Sequence, residues 1–458
     1  MIEKQYKKYV LLERYLNRLK YLNVPMGGTL ADQFILNRVH GLQPELITLK
    51  HLFLAFFRLF LSLFKKNSVV FKTPVLATWL TARHHFSNMM TPIIKHYKKD
   101  ITVIYNPEVN KEDLFGACFF SIKQTFNTPL NMFFPLMAFY FKTFFVLSSK
   151  RKQLSLNTRE ILFYSLRLFH QAKIIAFYTE QFKKPKNMPH LVITEFDRNG
   201  VAAPLILTAR IFGIKTVTLV HGVIGNYGYT PVLADYIYCF GEIQKTQLLA
   251  QGVAPEKIRV TGTSIIDLAG ERAVIKTRDP SVFRLGLGIS PLRKETREKM
   301  IRVVAQAAEK VKKTELVIKL HPSLKKEDFT HFLKTFKNTG IKSSAEIDNN
   351  TFFKNIDLLI INSSGLGIEA MYQEVPVILM KLQENECGHF DLTANESGLP
   401  VFSKESELIG MLLKYTADNN ALQSIGEKGN AFARSYYFAT GKEASQNIIK
   451  ELTTLLNS

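Results

Sequence analysis

Residues 190–222 read HLVITEFDRNGVAAPLILTARIFGIKTVTLVHG, and this stretch decides the fold. An apolar run over 190–194 enters a polar turn, and an apolar helical pattern follows over 201–212. Gly213 stands where a helix C-cap glycine is expected, and a second apolar run covers 216–220. Strands apolar on both faces and separated by a helix belong to a parallel sheet covered on both sides.

The same rhythm extends outward. Upstream, residues 74–79 and 101–105 read as strands, 89–97 as a helix between them and 157–183 as a long helix, while 106–156 is Phe-rich and follows no clear period. Downstream, 235–240 is a strand. The pattern restarts past Gly241 with strands at 257–260, 283–287, 315–320, 357–361 and 375–379. Helices are expected at 293–313 and 325–337, and 406–456 reads as helical with a break at Phe438-Ala439-Thr440-Gly441. The expected architecture is therefore α/β, with two Rossmann-like units facing a cleft, where ligands of such sheets bind.

Charge is distributed unevenly. The chain has 458 residues and a formal charge of +21; residues 1–200 carry 29 Lys and Arg against 12 Asp and Glu, a net of +17. A basic half beside a near-neutral half suggests a polyanionic partner. No zinc-finger spacing, RNP-like motif or RG-rich tract accompanies the charge, so nucleic acid is not the expected partner. The basic residues are interleaved with Phe, Leu and Met, which suits an anionic membrane surface. Residues 51–64 (HLFLAFFRLFLSLF) are too short to span a bilayer, and residues 128–148 are interrupted by Pro129, Pro135 and Lys142. Both read as buried or interfacial helices, with a spanning segment at 128–148 the remaining alternative. The charged N-terminus lacks signal-peptide features. Cys118, Cys239 and Cys387 show no paired spacing, which suits a reducing cytoplasm.

Four local patterns carry candidate chemistry. In the first, Ile361-Asn362-Ser363-Ser364-Gly365-Leu366-Gly367-Ile368-Glu369, an apolar strand runs into a helix start. Free amides and hydroxyls there suit a phosphate, and Glu369 suits ribose hydroxyls; an ordinary serine N-cap is the alternative. In the second, Lys319-Leu320-His321-Pro322, proline fixes His321 at the carboxyl end of a strand. In the third, a strand ends at His221 before a loop with Gly222, Gly225 and Gly228. In the fourth, Glu195 and Asp197 follow a strand, either of them a candidate base, with Asp197 alternatively a helix N-cap. No DxD or HExxH set occurs, and adjacent His84 and His85 chelate poorly; no metal or cofactor is expected.

Taken together, residues from about 190 to 450 resemble the GT-B superfamily that joins UDP-N-acetylglucosamine 2-epimerases, CDP-glycerol glycerophosphotransferases and capsule- or sialyltransferase-like polysaccharide enzymes. The run quoted first is similar to the last unit of their N-terminal domain, and IRVTGTSIIDLA, containing Gly262 and Thr263, to the entry of their C-terminal domain. KLHPS and NSSGLGIEAMYQEVPVI are similar to their paired donor motifs. The resemblance implies that Lys319, His321, Pro322, Ser363, Ser364, Gly365, Glu369, Gly262 and Thr263 hold a nucleotide-sugar donor. It implies that Asp197, or Glu195, is the base, and that His221 lies at the loop where the epimerases carry His-x-Glu-Ala-Gly. This chain reads His221-Gly222-Val223-Ile224-Gly225 and lacks that glutamate, which favours transfer over epimerisation. The expected organisation is a basic helical leader (1–67), an acceptor-side domain (68–241), a donor domain (242–435) and a C-terminal helix (436–458). The expected function is metal-independent glycosyl transfer from a nucleotide-sugar to a surface-polysaccharide or lipid-linked glycan acceptor at the inner face of the cell membrane. A 2-epimerase and a non-catalytic nucleotide-sugar-binding scaffold are the alternatives.

Overall fold

The structure is a computed structural model that describes residues 2–30, 71, 73–79, 84–106, 117–121, 132–225, 227–266, 281–290, 292, 294–322, 324–336, 339–342, 346–362, 364–381 and 388–458. The apolar segment 51–64, Ser363 and Cys387 lie outside the described residues. The chain divides into two compact units. One comprises Met1–His221, Tyr227–Ile266 and Ala439–Ser458; the other comprises Gly222–Asn226 and Asp267–Phe438.

The first unit opens with the helix Ile2–Asn17 and a small hairpin of β1 (Lys20–Tyr21) and β2 (Val24–Pro25). Seven strands then build one sheet: β3 (Val75–Trp79), β4 (Ile101–Tyr105), β5 (Cys118–Ser121), β6 (Leu191–Thr194), β7 (Lys215–Leu219), β8 (Tyr236–Cys239) and β9 (Ile258–Val260). Their order is β5-β4-β3-β6-β7-β8-β9, and every neighbouring pair is parallel. The order reverses between β3 and β6, which makes that point the switch of a doubly wound sheet. The strands are apolar because helices cover both faces: all of β4 and β6 is buried. Gly213 ends the helix Ala202–Ile211 at φ +72°, a left-handed conformation that a side chain disfavours.

The second unit holds six strands: β10 (Phe283–Ile289), β11 (Thr314–Leu320), β12 (Thr339–Lys342), β13 (Leu358–Ile361), β14 (Val377–Met380) and β15 (Val401–Phe402). Their order is β12-β11-β10-β13-β14-β15, again all parallel, with the switch between β10 and β13. Each unit is thus Rossmann-like, as expected from the alternation of apolar runs and helices.

Several boundaries differ from the sequence reading. Residues 2–30 are not a separate leader: Tyr9, Leu12 and Leu16, spaced to share one helix face, are buried with Phe139 and Tyr140 of the helix Phe133–Ser149 and Phe163 of the helix Thr158–Phe182. The boundary expected at residue 242 falls later, because β9 pairs with β8 and carries residues 242–260 into the first sheet. The C-terminal helix Gly441–Asn457 returns to the first unit, where Ile448 and Leu452 join the core beneath β3 and β4. The helix expected at 325–337 splits into a 3-10 turn, Lys326–Phe329, and a short helix, Thr330–Thr335. Residues 133–149 form a helix with one buried and one exposed face, and among the described residues no helix is long and apolar enough to cross a membrane.

The entry to the second unit is a tight backbone knot. Gly262 has φ +90°, and a Cβ there would stand 2.4 Å from the Ala439 carbonyl oxygen. The Thr263 amide donates to that carbonyl at 2.9 Å, and the Gly441 amide donates to Thr263 O at 3.1 Å. Gly262 and Thr263, expected at the donor, therefore fasten the outgoing and returning chains of the first unit. Gly262→Ala combines a left-handed strain with a backbone clash and is expected to cost about 3 kcal/mol of stability. Urea unfolding checks this; an unchanged midpoint would show that the knot contributes nothing.

Candidate functional site

In the second unit, chemistry-bearing residues converge on the carboxyl edge of the sheet, at its switch point. β11 runs directly into His321, whose amide donates to Ile289 O at the end of β10 at 3.0 Å. β13 ends in Asn362, whose side-chain amide donates to Met380 O at 2.9 Å and ties the turn to β14. Ser364 is the N-cap of the helix Gly365–Tyr372, and its Oγ accepts from the Leu366 amide at 3.2 Å. The two glycines of that helix start do different jobs. A Cβ on Gly367 would lie 2.0 Å from Ile361 Cδ1, so glycine there lets the helix sit against its own strand. Beside Gly365, its chain neighbours and own helix backbone aside, no atom of the described residues lies within 4 Å of where a Cβ would be, so the first turn is open there. On β10, a Cβ on Gly288 would meet Leu366 Cδ2 at 3.0 Å, so the strand's lack of a side chain brings the helix start close to the sheet. The result is an accessible helix N-terminus, which attracts anions through its free amides and dipole.

One turn further in, Glu369 is half-buried, and its Oε2 accepts from Asn349 Nδ2 at 2.6 Å. Burial pushes its carboxyl up to about 7, and the Asn349 hydrogen bond and the Lys319 charge only partly oppose this. Lys319 is 4% exposed; its ammonium donates to Ile347 O and lies 5.8 Å from the Phe352 ring. Burial lowers its pKa, while the charges of Asp348 and Glu369 hold it up. Lys319 is therefore an interior cation beside Glu369, and not the solvated strand residue that its position two before His321 also permits. Pro322 is exposed, and its place after His321 keeps the histidine extended at the sheet edge. The structure thus gathers Lys319, His321, Ser364, Gly365 and Glu369 at one edge, and Asn349 joins them unforeseen, since a lone Asn opening a short helix has no sequence signature beyond a cap.

In the first unit the corresponding edge is again a switch point. Glu195 follows β6, is fully buried, and accepts from Thr78 Oγ1 on β3 at 2.7 Å. The Glu195 main-chain oxygen lies 2.9 Å from His221 Nδ1. A carbonyl only accepts, so Nδ1 carries a proton; in the neutral form of the ring the lone pair is then at Nε2, the form a general base requires. The ring forms a triangle of aromatic contacts with Phe196 and Tyr229, whose centroids lie 5.6 and 5.5 Å from it and 5.7 Å from each other, and the His221 amide donates to Tyr229 Oη at 3.0 Å.

Asp197 does not join this group. It is 1% exposed, and its Oδ2 accepts from the Leu233 and Ala234 amides at 2.7 and 3.0 Å. Burial raises its pKa, and these amides and the Arg198 charge oppose the rise. With 1% exposure and two interior amides on its Oδ2, Asp197 is positioned as a structural anchor rather than at the open sheet edge. Nor is Asp197 the helix cap: Asn199 Oδ1 accepts from the Val201 and Ala202 amides at 3.0 and 2.8 Å. Arg198, 2% exposed, donates to the carbonyls of Tyr227, Gly228 and Thr230, and so fixes that loop from within.

Among the described residues no three His, Cys, Asp or Glu side chains gather closely enough to hold a metal ion. Titration offers a test of the Glu369 environment. Its carboxyl is pushed up to about 7 in the fold from 4.5 for an ordinary glutamate, so the unfolded chain loses this proton first. Stability from this group is present below pH 4.5 and is lost as pH rises toward 7. Thermal unfolding is expected to fall across that window in wild type and to stay flatter in Glu369→Gln. Parallel curves for the two proteins would contradict the buried placement.

No protein-family model matches this chain. It is 24% identical over 228 residues to a UDP-N-acetylglucosamine 2-epimerase of Methanocaldococcus jannaschii, a match covering 43% of this chain and 61% of that relative's length. Among solved structures it resembles the S. aureus MnaA–UDP co-structure, with a TM-score of 0.53 and 16% identity over 84% of this chain and 97% of the other. It also resembles the glycotransferase of kitacinnamycin, with a TM-score of 0.52 and 9% identity over 84% of this chain and 99% of the other. The chain has the GT-B fold, which the nucleotide-sugar 2-epimerases share with the GT-B glycosyltransferases.

Proposed function

We propose that the chain is a nucleotide-sugar-dependent glycosyltransferase. The observation that supports this most is the open helix start at Ser364–Gly365, with His321, Lys319 and Glu369 around it on the same sheet edge of the second unit. In this reading the helix amides and His321 take the donor diphosphate, and Glu369 accepts from the ribose hydroxyls. Developing negative charge on the leaving diphosphate is met by the helix dipole and the His321 donor, and a divalent ion is not required. On the first unit the candidate base is His221, its ring held by the Glu195 carbonyl; this moves the base from Asp197 to His221. The acceptor is a surface-polysaccharide or lipid-linked glycan, reached by a protein that associates peripherally with the anionic inner face of the cell membrane.

Epimerisation is the second reading, favoured by the curated 2-epimerase relatives. Against it stands the sequence His221-Gly222-Val223-Ile224-Gly225, which lacks the glutamate of the His-x-Glu-Ala-Gly element at that loop. Incubation with UDP-N-acetylglucosamine in excess EDTA separates the two. Transfer predicts UDP release that depends on an added glycan acceptor and no new epimer, with His321→Ala reducing turnover about a hundredfold, the size of one lost donor to a developing charge. A 2-epimer formed without acceptor would establish the isomerase instead. His321→Ala activity within a few-fold of wild type, in a folded protein, would remove His321 from the phosphate.

A further inference from the structure

We propose that the exposed face of the helix Phe133–Ser149 is the element that docks the protein on an anionic lipid surface. The inference rests on the membrane association in the proposed function and assigns it to named side chains, independently of the reaction. The helix buries Leu136, Phe139, Tyr140, Thr143 and Leu147 against the protein. On its other side Phe134, Phe141 and Phe145 are 80%, 52% and 67% exposed. Steps of seven and four residues place these three rings on one narrow stripe about 16 Å long. A monomeric protein scatters exposed apolar residues singly, and a line of three large rings marks an interaction surface.

Charge names the occupant. From Met132 to Arg159 the chain carries Lys142, Lys150, Arg151, Lys152 and Arg159 and no Asp or Glu. Lys142 is exposed on the shoulder of the stripe, and Arg151 and Lys152 are exposed just past its end. The first acidic residue beyond, Glu160, is buried, and its carboxylate accepts from the Asn157 amide in the cap of the next helix. The basic N-terminal helix reaches the same end: Lys8 Nζ donates to Ser155 Oγ at 2.9 Å, and Lys150 Nζ lies 5.0 Å from the Tyr15 ring. A protein partner of ordinary surface would match the rings alone. A bilayer with anionic headgroups matches both parts, taking the rings into its interfacial layer and the cations among its phosphates. The length of the helix, 17 residues with Lys142 inside it, suits lying in that layer rather than crossing it.

Flotation of the full chain with phosphatidylglycerol/phosphatidylethanolamine vesicles, and with phosphatidylcholine vesicles as control, tests this. Two variants are compared, Phe134→Ser/Phe141→Ser/Phe145→Ser and Lys142→Glu/Arg151→Glu/Lys152→Glu. All six side chains are exposed, so urea midpoints near wild type confirm folding. The wild type is expected to float with anionic vesicles only, and less as salt rises from about 0.1 to about 1 M, where the Debye length falls from about 10 to about 3 Å. The Phe variant is expected to lose about a hundredfold in partitioning at every salt. The charge variant is expected to lose binding at low salt and with it the salt dependence. A wild type that floats while the Phe variant floats equally well overturns this surface and leaves membrane association standing. A wild type that floats with no vesicle overturns both. A wild-type dimer that the Phe variant converts to monomer, without a change in flotation, overturns the proposal in favour of self-association.

Discussion

The constraint on which the proposed donor site depends is the absence of side chains at two glycines of the second unit. Any Cβ on Gly367 would stand 2.0 Å from Ile361, and one on Gly288 would press on Leu366 at 3.0 Å. Without those atoms the helix Gly365–Tyr372 seats against the ends of β13 and β10, and its open amides emerge at the switch point of the sheet. A Cβ at either position would meet a terminal methyl, Ile361 Cδ1 or Leu366 Cδ2, and turn it out of the contact that seats the helix start; His321 is tied to Ile289 by a backbone hydrogen bond. Glu369 then falls inside the unit on the same helix, and burial near Lys319 and Asn349 sets its ionisation near neutrality. Packing thus comes first, and both the anion site and the buried carboxylate follow from it.

The first unit is organised by a different device. Two consecutive charged residues after β6 turn inward: Asp197 holds the Leu233 and Ala234 amides, and Arg198 holds the carbonyls of Tyr227, Gly228 and Thr230. Buried ions of this kind are tolerated when most of their hydrogen-bonding capacity is met; here backbone groups take Asp197 Oδ2 and both Nη groups of Arg198, while Arg198 Nε has no partner among the described residues. The loop they secure contains Tyr229, which packs on His221, so the charges act on the candidate base through the loop without touching it. Glu195 acts from the opposite side, through its carbonyl and its bond to Thr78.

How much of this was legible in the sequence follows the physics of each element. Strands such as 101–105 and 191–194 are short apolar runs bounded by breakers, and they were readable because burial on both faces leaves little freedom of composition. Edge strands β5, β12 and β15 were missed, since partial exposure and small size erase that signal. The donor edge was readable from motif order: His321 after a strand, and Ser364-Gly365 before a helix. Roles that depend on direction were not. Asp197 and Glu195 both read as candidate bases, because sequence cannot show that one carboxylate turns toward interior amides. Gly262 and Thr263 read as ligand residues, because nothing local reveals that Ala439 closes on them from far along the chain. The first helix reads as a leader for the same reason, its core partners in the helices 133–149 and 158–182 lying more than a hundred residues away.

The central claim is that a nucleotide diphosphate binds at the helix start of the second unit. Amide hydrogen exchange of the full chain with and without UDP measures it most directly, because it reports protection residue by residue without requiring the acceptor. The account predicts slowed exchange at the amides of residues 364–368 and at His321 when UDP is added, with the knot at Thr263 and Gly441 unchanged. Protection confined to other segments, or none at saturating UDP, would contradict it.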